Sequence, residues 1–318
     1  MGIKVKILAD SVGPAQVRLT TWELVYPRFI HSELLTYGMF ARNAASSRAI
    51  PIKKMMKRIW DEPVMPVYWG ANQAGMSARA ELTGFKRWFA SKVWVMGCYM
   101  ALFTVWLLNK LNVHKQIANR VTEPWMHITT VVTADQYAIA NMFHQRDHED
   151  AQPEFRALAR LMWVEYNMTT PKELKVDEWH LPFIKDQDRT DALQLAQAGT
   201  SASYDELKGK VVEILKKVSV GRCARVSYLN HDGVRDIRAD IDLHDKMKNS
   251  KPGHWSPFEH VAKALTIPAT QAKLHGWRPY RMDQQGEFLS ELAVWDPRGY
   301  GQEILDSLKA NYPDPERK

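Results

Sequence analysis

Residues 253–260 read Gly253-His254-Trp255-Ser256-Pro257-Phe258-Glu259-His260. Two histidines, a serine, a glutamate and two aromatic residues therefore lie within eight positions around a proline turn. A hydrophobic core would use the two aromatic rings, but packing does not explain the hydroxyl, the carboxylate and the imidazoles. Because polar and titratable groups gathered in one loop are typical of binding and catalytic sites, this stretch is the first candidate for the functional site.

Two other segments carry related chemistry. The first is Arg42-Asn43-Ala44-Ala45-Ser46-Ser47-Arg48, in which small residues let hydrogen-bond donors approach an anion that an arginine can bind through two bonds. The second covers residues 120–154, where Asp135 and Asn141 can point from one helix toward a ligand. Taken singly, the first segment is typical of a solvated connection and the second of a polar helix face, so it is their joint occurrence that indicates a site.

Together these segments resemble the flavin-dependent thymidylate synthase family, ThyX. Residues 224–227, Ala-Arg-Val-Ser, are similar to the family's A-R-V-S segment, and residues 253–260 are similar to its P-F-E-H segment, the most specific of the matches. Asn43, Ser46 and Arg48 match the end of the family's signature. The stretch 120–154 resembles its C-terminal region, and the matching segments cover about half of the chain.

The chain departs from the family's pattern in two ways. The A-R-V-S and P-F-E-H segments come first in the family and last here, so we predict a circularly permuted chain, which is feasible where the termini lie close together at the surface. The signature is also altered, because Thr36, Tyr37 and Gly38 stand where R-H-R is expected. Further replacements occur at Glu33, Ala41, Ala44, Asp135 and Tyr137.

The resemblance implies an α/β fold of the α+β type, with a mixed sheet flanked by helices and with sites formed between subunits of a homotetramer or another homo-oligomer. It implies transfer of a one-carbon unit from methylenetetrahydrofolate to C5 of a pyrimidine deoxynucleotide, with FAD as hydride source and NADPH as reductant. dUMP is the default substrate, and dCMP or a hydroxymethylated product are alternatives. The flavin would carry the redox chemistry while the protein orients rings and charges.

The resemblance also implies roles for individual residues. Arg146 would bond the pyrimidine carbonyl and stabilise developing negative charge, and His254 joins it among the catalytic candidates. The nucleotide would contact Glu33, Ser46, Ser47, Arg48, Arg120 and Arg146. FAD would contact Tyr37, Met39, Asp135, Asn141, Arg225, Ser227, His254, Ser256 and Glu259. No metal is expected, although His144 and His148 are spaced by one helical turn.

Composition limits the other possibilities. The 318 residues carry a net charge of +7, which favours anionic partners such as nucleotides and leaves a nucleic-acid-binding protein as an alternative. A relative that keeps the scaffold without catalysis is a second alternative. Two cysteines exclude a disulfide scaffold, and the Walker and Rossmann phosphate motifs are absent. The start of the chain does not resemble a secretory signal, so we expect a cytoplasmic protein.

Hydrophobic periodicity predicts the elements of what we expect to be one permuted domain over residues 1–318. It predicts strands at 5–8 and 17–26, and helices at 29–40, 52–59, 77–111, 133–143, 154–166 and 204–218. Residues 1–166 would hold the signature and C-terminal-type segments, 167–203 a loop-rich connector, and 204–318 the N-terminal-type half. The uncharged stretch 93–108 is shorter than the ~20 residues of a membrane span, so we predict a helix in the core or at an oligomer interface.

Overall fold

The computed structural model describes residues 2–198, 203–230, 236–250, 253–271 and 273–284. Residues 1–281 form one compact unit, and 282–318 form a second unit of which only 282–284 are described. The strands are β1 (Lys4–Val12), β2 (Arg18–Pro27), β3 (Ala41–Ala44), β4 (His127–Asp135), β5 (Lys172–Glu173), β6 (Trp179–His180), β7 (Ala262–Ala264), β8 (Thr270–Gln271), β9 (Leu274–His275) and β10 (Trp277–Pro279).

The helices surround these strands. They are α1 (His31–Leu35), α2 (Ile52–Asp61), α3 (Gly84–Lys110), α4 (Lys115–Ala118), α5 (Gln136–Arg146), α6 (Pro153–Met168), α7 (Asp186–Gln197), α8 (Tyr204–Arg225) and α9 (Ile237–Asn249). Short 3₁₀ segments cover Arg28–Ile30, Asn119–Trp125, Val226–Tyr228, Ser256–His260 and Tyr280–Asp283.

The central sheet has five strands in the order β3-β4-β2-β1-β5. All neighbours are antiparallel except β1 and β5, which are parallel, so the sheet is mixed. Strand β4 is almost entirely buried, and its β-branched run from Ile128 to Thr133 fits a strand that is covered on both faces. The predicted mixed sheet with flanking helices is therefore confirmed.

Helix α6 covers one face of this sheet. Phe155, Leu158, Ala159 and Met162 recur at helical spacing and are all fully buried, in one core with Trp22 of β2. Burying a large apolar side chain contributes roughly 1.5–3 kcal/mol, so this stripe fixes the helix on the sheet. The start of the helix at Pro153 follows from the proline, whose missing N–H has no partner to lose in the first turn.

Several sequence-based predictions of elements are wrong. The helix predicted from residue 133 begins at Gln136, because Thr133 to Asp135 complete β4. Residues 43 and 44, predicted to belong to a polar connection, form part of the edge strand β3 beside β4. The predicted helix 29–40 is limited to α1 and the 3₁₀ turn before it. The connector 167–203 contains the three-turn helix α7, whose few large apolar residues gave a weak periodic signal.

Candidate functional site

Asn43 joins the segment 42–48 to the segments that contain Ser227 and Ser256. Its side-chain amide donates to the carbonyl of Cys223 at 2.7 Å, and its Oδ1 accepts hydrogen bonds from the hydroxyls of Ser227 and Ser256, each at 3.3 Å. The backbone N–H of Ser46 donates to the carbonyl of Ser227 at 3.0 Å. Strand β3, the end of α8 and the turn at 256–260 therefore meet at one buried amide.

The turn at 256–260 is also tied to the sheet by a chain of buried polar side chains. His260 Nδ1 lies 2.9 Å from Thr133 Oγ1, which lies 2.6 Å from Thr21 Oγ1. Thr21 Oγ1 lies 2.8 Å from His180 Nε2, and His180 Nδ1 lies 2.9 Å from Ser11 Oγ. Burial lowers the pKa of His180 and of His260 to about 3, so both imidazoles are neutral at pH 7. These histidines position the turn and carry no charge.

Arg146 at the end of α5 is held by the segment that follows β2. Its Nη1 lies 2.7 Å from Glu33 Oε2 and its Nε donates to the hydroxyl of Tyr37 at 2.7 Å. The guanidinium lies 4.6 Å from the centroid of the Phe155 ring, and the Tyr37 hydroxyl donates to Gln145 Oε1 at 3.1 Å. The stretch 33–37 and the end of α5 therefore meet around an oriented guanidinium, and the Arg146 side chain is 20% exposed.

Tyr37 and Gln145, which lie next to Arg146, also line a cavity of about 190 Å³. Tyr37, Met39 and Asn141, three of the expected flavin contacts, line it together with Thr36, Gly38, Phe40, Ala138 and Gln145. A Cβ added to Gly38 would meet no atom within 4 Å, so the space next to the altered signature is open. Ligand sites usually measure roughly 300–1000 Å³, so this cavity is smaller than a typical ligand site.

Three other expected flavin contacts are engaged within the chain. Arg225 Nε lies 2.6 Å from Asp240 Oδ1. Glu259 lies 3.1 Å from Lys273 Nζ and 2.6 Å from Arg281 Nη1. Asp135 Oδ1 accepts the first free N–H groups of α5, and Asp135 Oδ2 accepts from the backbone and ring of His275 at 2.8 and 2.7 Å. Ion pairs and carboxylates at helix N-caps stabilise folds. Arg225, Glu259 and Asp135 therefore stabilise the fold of this chain.

Arg48 extends from a turn that several polar side chains hold. Asn119 Nδ2 donates to the carbonyls of Ser47 and Ile50 at 2.7 and 3.0 Å, and Lys115 Nζ donates to the carbonyl of Ala49 at 3.1 Å. Arg48 itself is exposed. Arg120 follows Asn119 directly, and its Nη1 lies 2.6 Å from Glu123 Oε1. Hydrogen bonds therefore join the segments that carry Arg48 and Arg120, two of the expected nucleotide contacts.

The sequence does not predict two of the residues that hold this turn. Lys115 and Asn119 carry no motif, and only the fold makes their side chains close the turn that presents Arg48. His254, a catalytic candidate, is exposed, and its backbone N–H donates to the carbonyl of Met247 at 3.2 Å. Among the described residues, no three His, Cys, Asp or Glu side chains gather as a metal-ligand set.

No family model and no curated protein matches the amino-acid sequence. Similar solved structures include the thymidylate synthase ThyX from Helicobacter pylori with FAD and dUMP, at 14% identity over 46% of this chain and 67% of that one, with a TM-score of 0.35. They also include the UMP/dUMP methylase PolB from Streptomyces cacaoi bound with 5-Br UMP, at 12% identity over 52% and 88%, with a TM-score of 0.42.

Proposed function

We propose that this protein is a flavin-dependent pyrimidine nucleotide C5 methylase. The observation that carries the proposal is the convergence of separated segments, since Asn43 bonds both Ser227 and Ser256. The three residues lie in separate stretches that resemble ThyX motifs, 42–48, 224–227 and 253–260, and Ser227 and Ser256 are 184 and 213 positions from Asn43 in the chain. A chance resemblance in unrelated loops gives no reason for the three to meet.

In this proposal Arg146 binds the pyrimidine carbonyl. Hydrogen bonds to Glu33 and Tyr37 hold its guanidinium in one orientation, so little reorganisation is needed when negative charge develops on the base. Reduced FAD would supply the hydride and methylenetetrahydrofolate the carbon, with NADPH restoring the flavin. The chain's own residues orient the base and stabilise its charge.

The nucleotide phosphate would bind at the turn that presents Arg48. An exposed guanidinium next to the hydroxyls of Ser46 and Ser47 offers several donors to a phosphate, and Arg120 follows in the segment fastened to that turn. Lys115 adds a further positive charge beside Ala49. This arrangement favours a mononucleotide, because the charge of a mononucleotide is concentrated in one phosphate group that a single turn can bind.

Residues of one chain fit part of a flavin. Tyr37, Met39 and Asn141 offer an aromatic ring, a polarisable thioether and an amide to the small cavity, which suits a flat heteroaromatic ring system. Because this cavity is smaller than a whole FAD requires, we propose that a second copy completes the site in a homo-oligomer, up to a homotetramer. Its substrates and reductant would place the enzyme in the cytoplasm.

The base is the least constrained part of the substrate. Glu33 offers acceptor oxygens, which suit the amino group of cytosine, whereas the Arg146 guanidinium suits a carbonyl that both bases possess. dCMP therefore has to be tested beside dUMP, and hydroxymethylation beside methylation.

The test combines flavin content with turnover. Purified protein, reconstituted with FAD if needed, is given NADPH, methylenetetrahydrofolate and either C5-tritiated dUMP or C5-tritiated dCMP. Release of tritium with one nucleotide, together with the absorption of bound flavin, is the expected result. Flavin binding without tritium release from either nucleotide would identify a relative that has lost catalysis.

A further inference from the structure

Within the described part of the chain, helix α3 is covered on one side and exposed on the other. Cys98, Ala101, Leu102 and Val105 are buried against the rest of the chain. The opposite side exposes ten large apolar side chains, each between 42% and 73% exposed: Phe85, Trp88, Phe89, Val93, Met96, Tyr99, Met100, Phe103, Trp106 and Leu107. The sequence predicts a helix in the core or at an oligomer interface, and one face of α3 does lie in the core. An apolar surface of this extent marks an interaction site.

The exposed residues follow a seven-residue repeat. One series is Phe85, Lys92, Tyr99 and Trp106, and the other is Phe89, Met96, Phe103 and Lys110. The two series alternate at spacings of four and three, which is the pattern by which two helices pack along a shared seam. We call these eight residues the α3 seam.

We propose that the α3 seam packs against the α3 seam of a second copy of this chain, in an antiparallel pair about a two-fold axis near the peptide bond between Gly97 and Cys98. In this arrangement Met96 faces Tyr99 of the second copy, and the same contact recurs on the other side of the axis, as a two-fold interface requires. The inference holds whatever reaction the protein catalyses.

The two lysines of the seam determine the direction of the pair. In a parallel pair Lys92 would face Lys92 and Lys110 would face Lys110, which places like charges together inside the interface. In the antiparallel pair Lys92 lies opposite Phe103 and Lys110 lies opposite Phe85, so each ammonium meets an aromatic ring. Each lysine already lies near a tryptophan ring of its own helix, at 5.9 Å from Trp88 and 5.7 Å from Trp106.

The exposed area is sufficient for a stable pair. Aromatic side chains bury roughly 150–250 Å² each, so the six aromatic side chains of this face, each about half exposed, offer roughly 600 Å², and its four other apolar side chains add to that area. A standard interface needs about 800 Å² from each partner. The α3 seam and its flanking residues can therefore supply an interface of ordinary size without help from another surface.

Helix α3 also has the length and composition of a membrane span, with 22% of its most apolar window buried. Its inner face, however, is fixed to the protein, because Trp94 Nε1 donates to the carbonyl of Val64 at 2.8 Å and Trp125 Nε1 donates to the carbonyl of Trp94 at 3.2 Å. Lipid cannot surround a helix held in this way. A second copy needs only the exposed face, so it is the occupant that we infer.

The experiment measures the mass of the full chain by sedimentation velocity and light scattering from about 1 to about 100 µM, because self-association depends on concentration. We expect a dimer or a larger even-numbered assembly. Met96→Lys introduces like charges near the two-fold axis and should halve the mass, weakening association by about a hundredfold or more. Met168→Lys makes the same change at an exposed position on α6 and should leave the mass unchanged. Circular dichroism verifies that both variants are folded.

A second pair of variants tests the direction of packing. In the antiparallel pair residue 103 faces Lys92 of the second copy, so Phe103→Glu should retain the assembly through an ion pair and Phe103→Lys should dissociate it. A parallel pair predicts dissociation by both, and that outcome would overturn the proposed arrangement. A wild-type chain that is monomeric at every concentration would overturn the proposal itself. So would a monomer that binds vesicles of phosphatidylcholine and phosphatidylserine through α3, because the face would then be a membrane-binding surface.

Discussion

The hydroxyl of Ser256 donates to the side-chain carbonyl of Asn43 at 3.3 Å, across 213 positions of sequence. This contact connects an edge strand of the central sheet to the turn that contains Pro257 and Glu259. Because Asn43 also bonds Ser227 and the carbonyl of Cys223, one buried amide holds three separate pieces of chain together. The geometry of the proposed site therefore depends on this residue.

Substitution of this amide should loosen the site. We expect Asn43→Ala to lower the free energy of unfolding by about 1–3 kcal/mol, because buried partners are left without hydrogen bonds. Urea denaturation provides the measurement. Asn167→Ala is the matched control, since Asn167 is exposed and donates to the carbonyl of Trp163 in the preceding turn of α6. An equal effect of the two variants would show that Asn43 does not organise the site.

Turnover should require the guanidinium of Arg146 and not only its positive charge. We expect Arg146→Lys to reduce kcat by about 10²–10³-fold, because a lysine cannot keep the bonds to both Glu33 and Tyr37 and also reach the base. Arg160→Lys, at an exposed arginine that pairs with Asp147, should leave kcat unchanged. Steady-state tritium release measures both, and full activity of Arg146→Lys would exclude the proposed role.

Tyr37 offers a finer version of the same test. Tyr37→Phe removes the hydroxyl that accepts from Arg146 Nε and leaves the ion pair with Glu33 in place. We expect a smaller loss of kcat than for Arg146→Lys, of about tenfold, because the guanidinium keeps its charge but loses one restraint on its orientation. A loss as large as that of Arg146→Lys would mean that Tyr37 contacts the substrate itself.

Arg48 should act on nucleotide binding. We expect Arg48→Gln to raise the KM for the nucleotide by about tenfold or more with little change in kcat, because a phosphate contact is the same in the ground state and the transition state. Arg79→Gln serves as a control, since Arg79 is an exposed arginine outside the proposed site. A selective fall in kcat for Arg48→Gln would instead place this arginine at the reacting base.

The buried histidines make stability depend on pH. The pKa of His180 and of His260 is lowered to about 3 in the folded chain by burial, whereas an unfolded histidine titrates near 6.5. Between these values the unfolded chain binds protons that the folded chain does not, so stability is complete above about pH 6.5 and falls as the pH decreases toward 3. Each histidine contributes up to about 1.4 kcal/mol per pH unit over that window.

Urea denaturation at a series of pH values between 7 and 5 measures this slope. His180→Asn should reduce the slope, whereas His148→Asn should not, since His148 is 61% exposed. A pH-independent free energy of unfolding over this interval would contradict neutral burial of the two imidazoles.

Strong local patterns made part of the fold predictable from sequence. The strand 17–26 and the helices 52–59 and 154–166 lie close to β2, α2 and α6, because each carries a clear periodicity and a proline at one end. Periodicity does not predict strand β4. Both of its faces are buried, so residues from His127 to Asp135 are mostly β-branched or apolar and do not alternate with polar residues. Its partner β3 depends on β4 for its hydrogen bonds and has only four residues.

The sequence predicts which segments form the site, but it does not predict which side chains contact one another. Motifs singled out Asn43, Ser227 and Ser256, and the fold joins them. Motifs do not reveal that Arg225 pairs with Asp240, or that Glu259 pairs with Lys273 and Arg281, because these partners come from elements with no motif of their own. The circular permutation and the shared site between copies stay predictions.

Tritium release from C5-labelled dUMP and dCMP is the most direct test of flavin-dependent methylation at C5 of a pyrimidine nucleotide. With FAD, NADPH and methylenetetrahydrofolate, we expect a yellow protein that releases tritium from one of the two nucleotides, and we expect Arg146→Lys to lose that release. A colourless protein that FAD does not reconstitute, with no tritium released from either nucleotide, would contradict the proposed function.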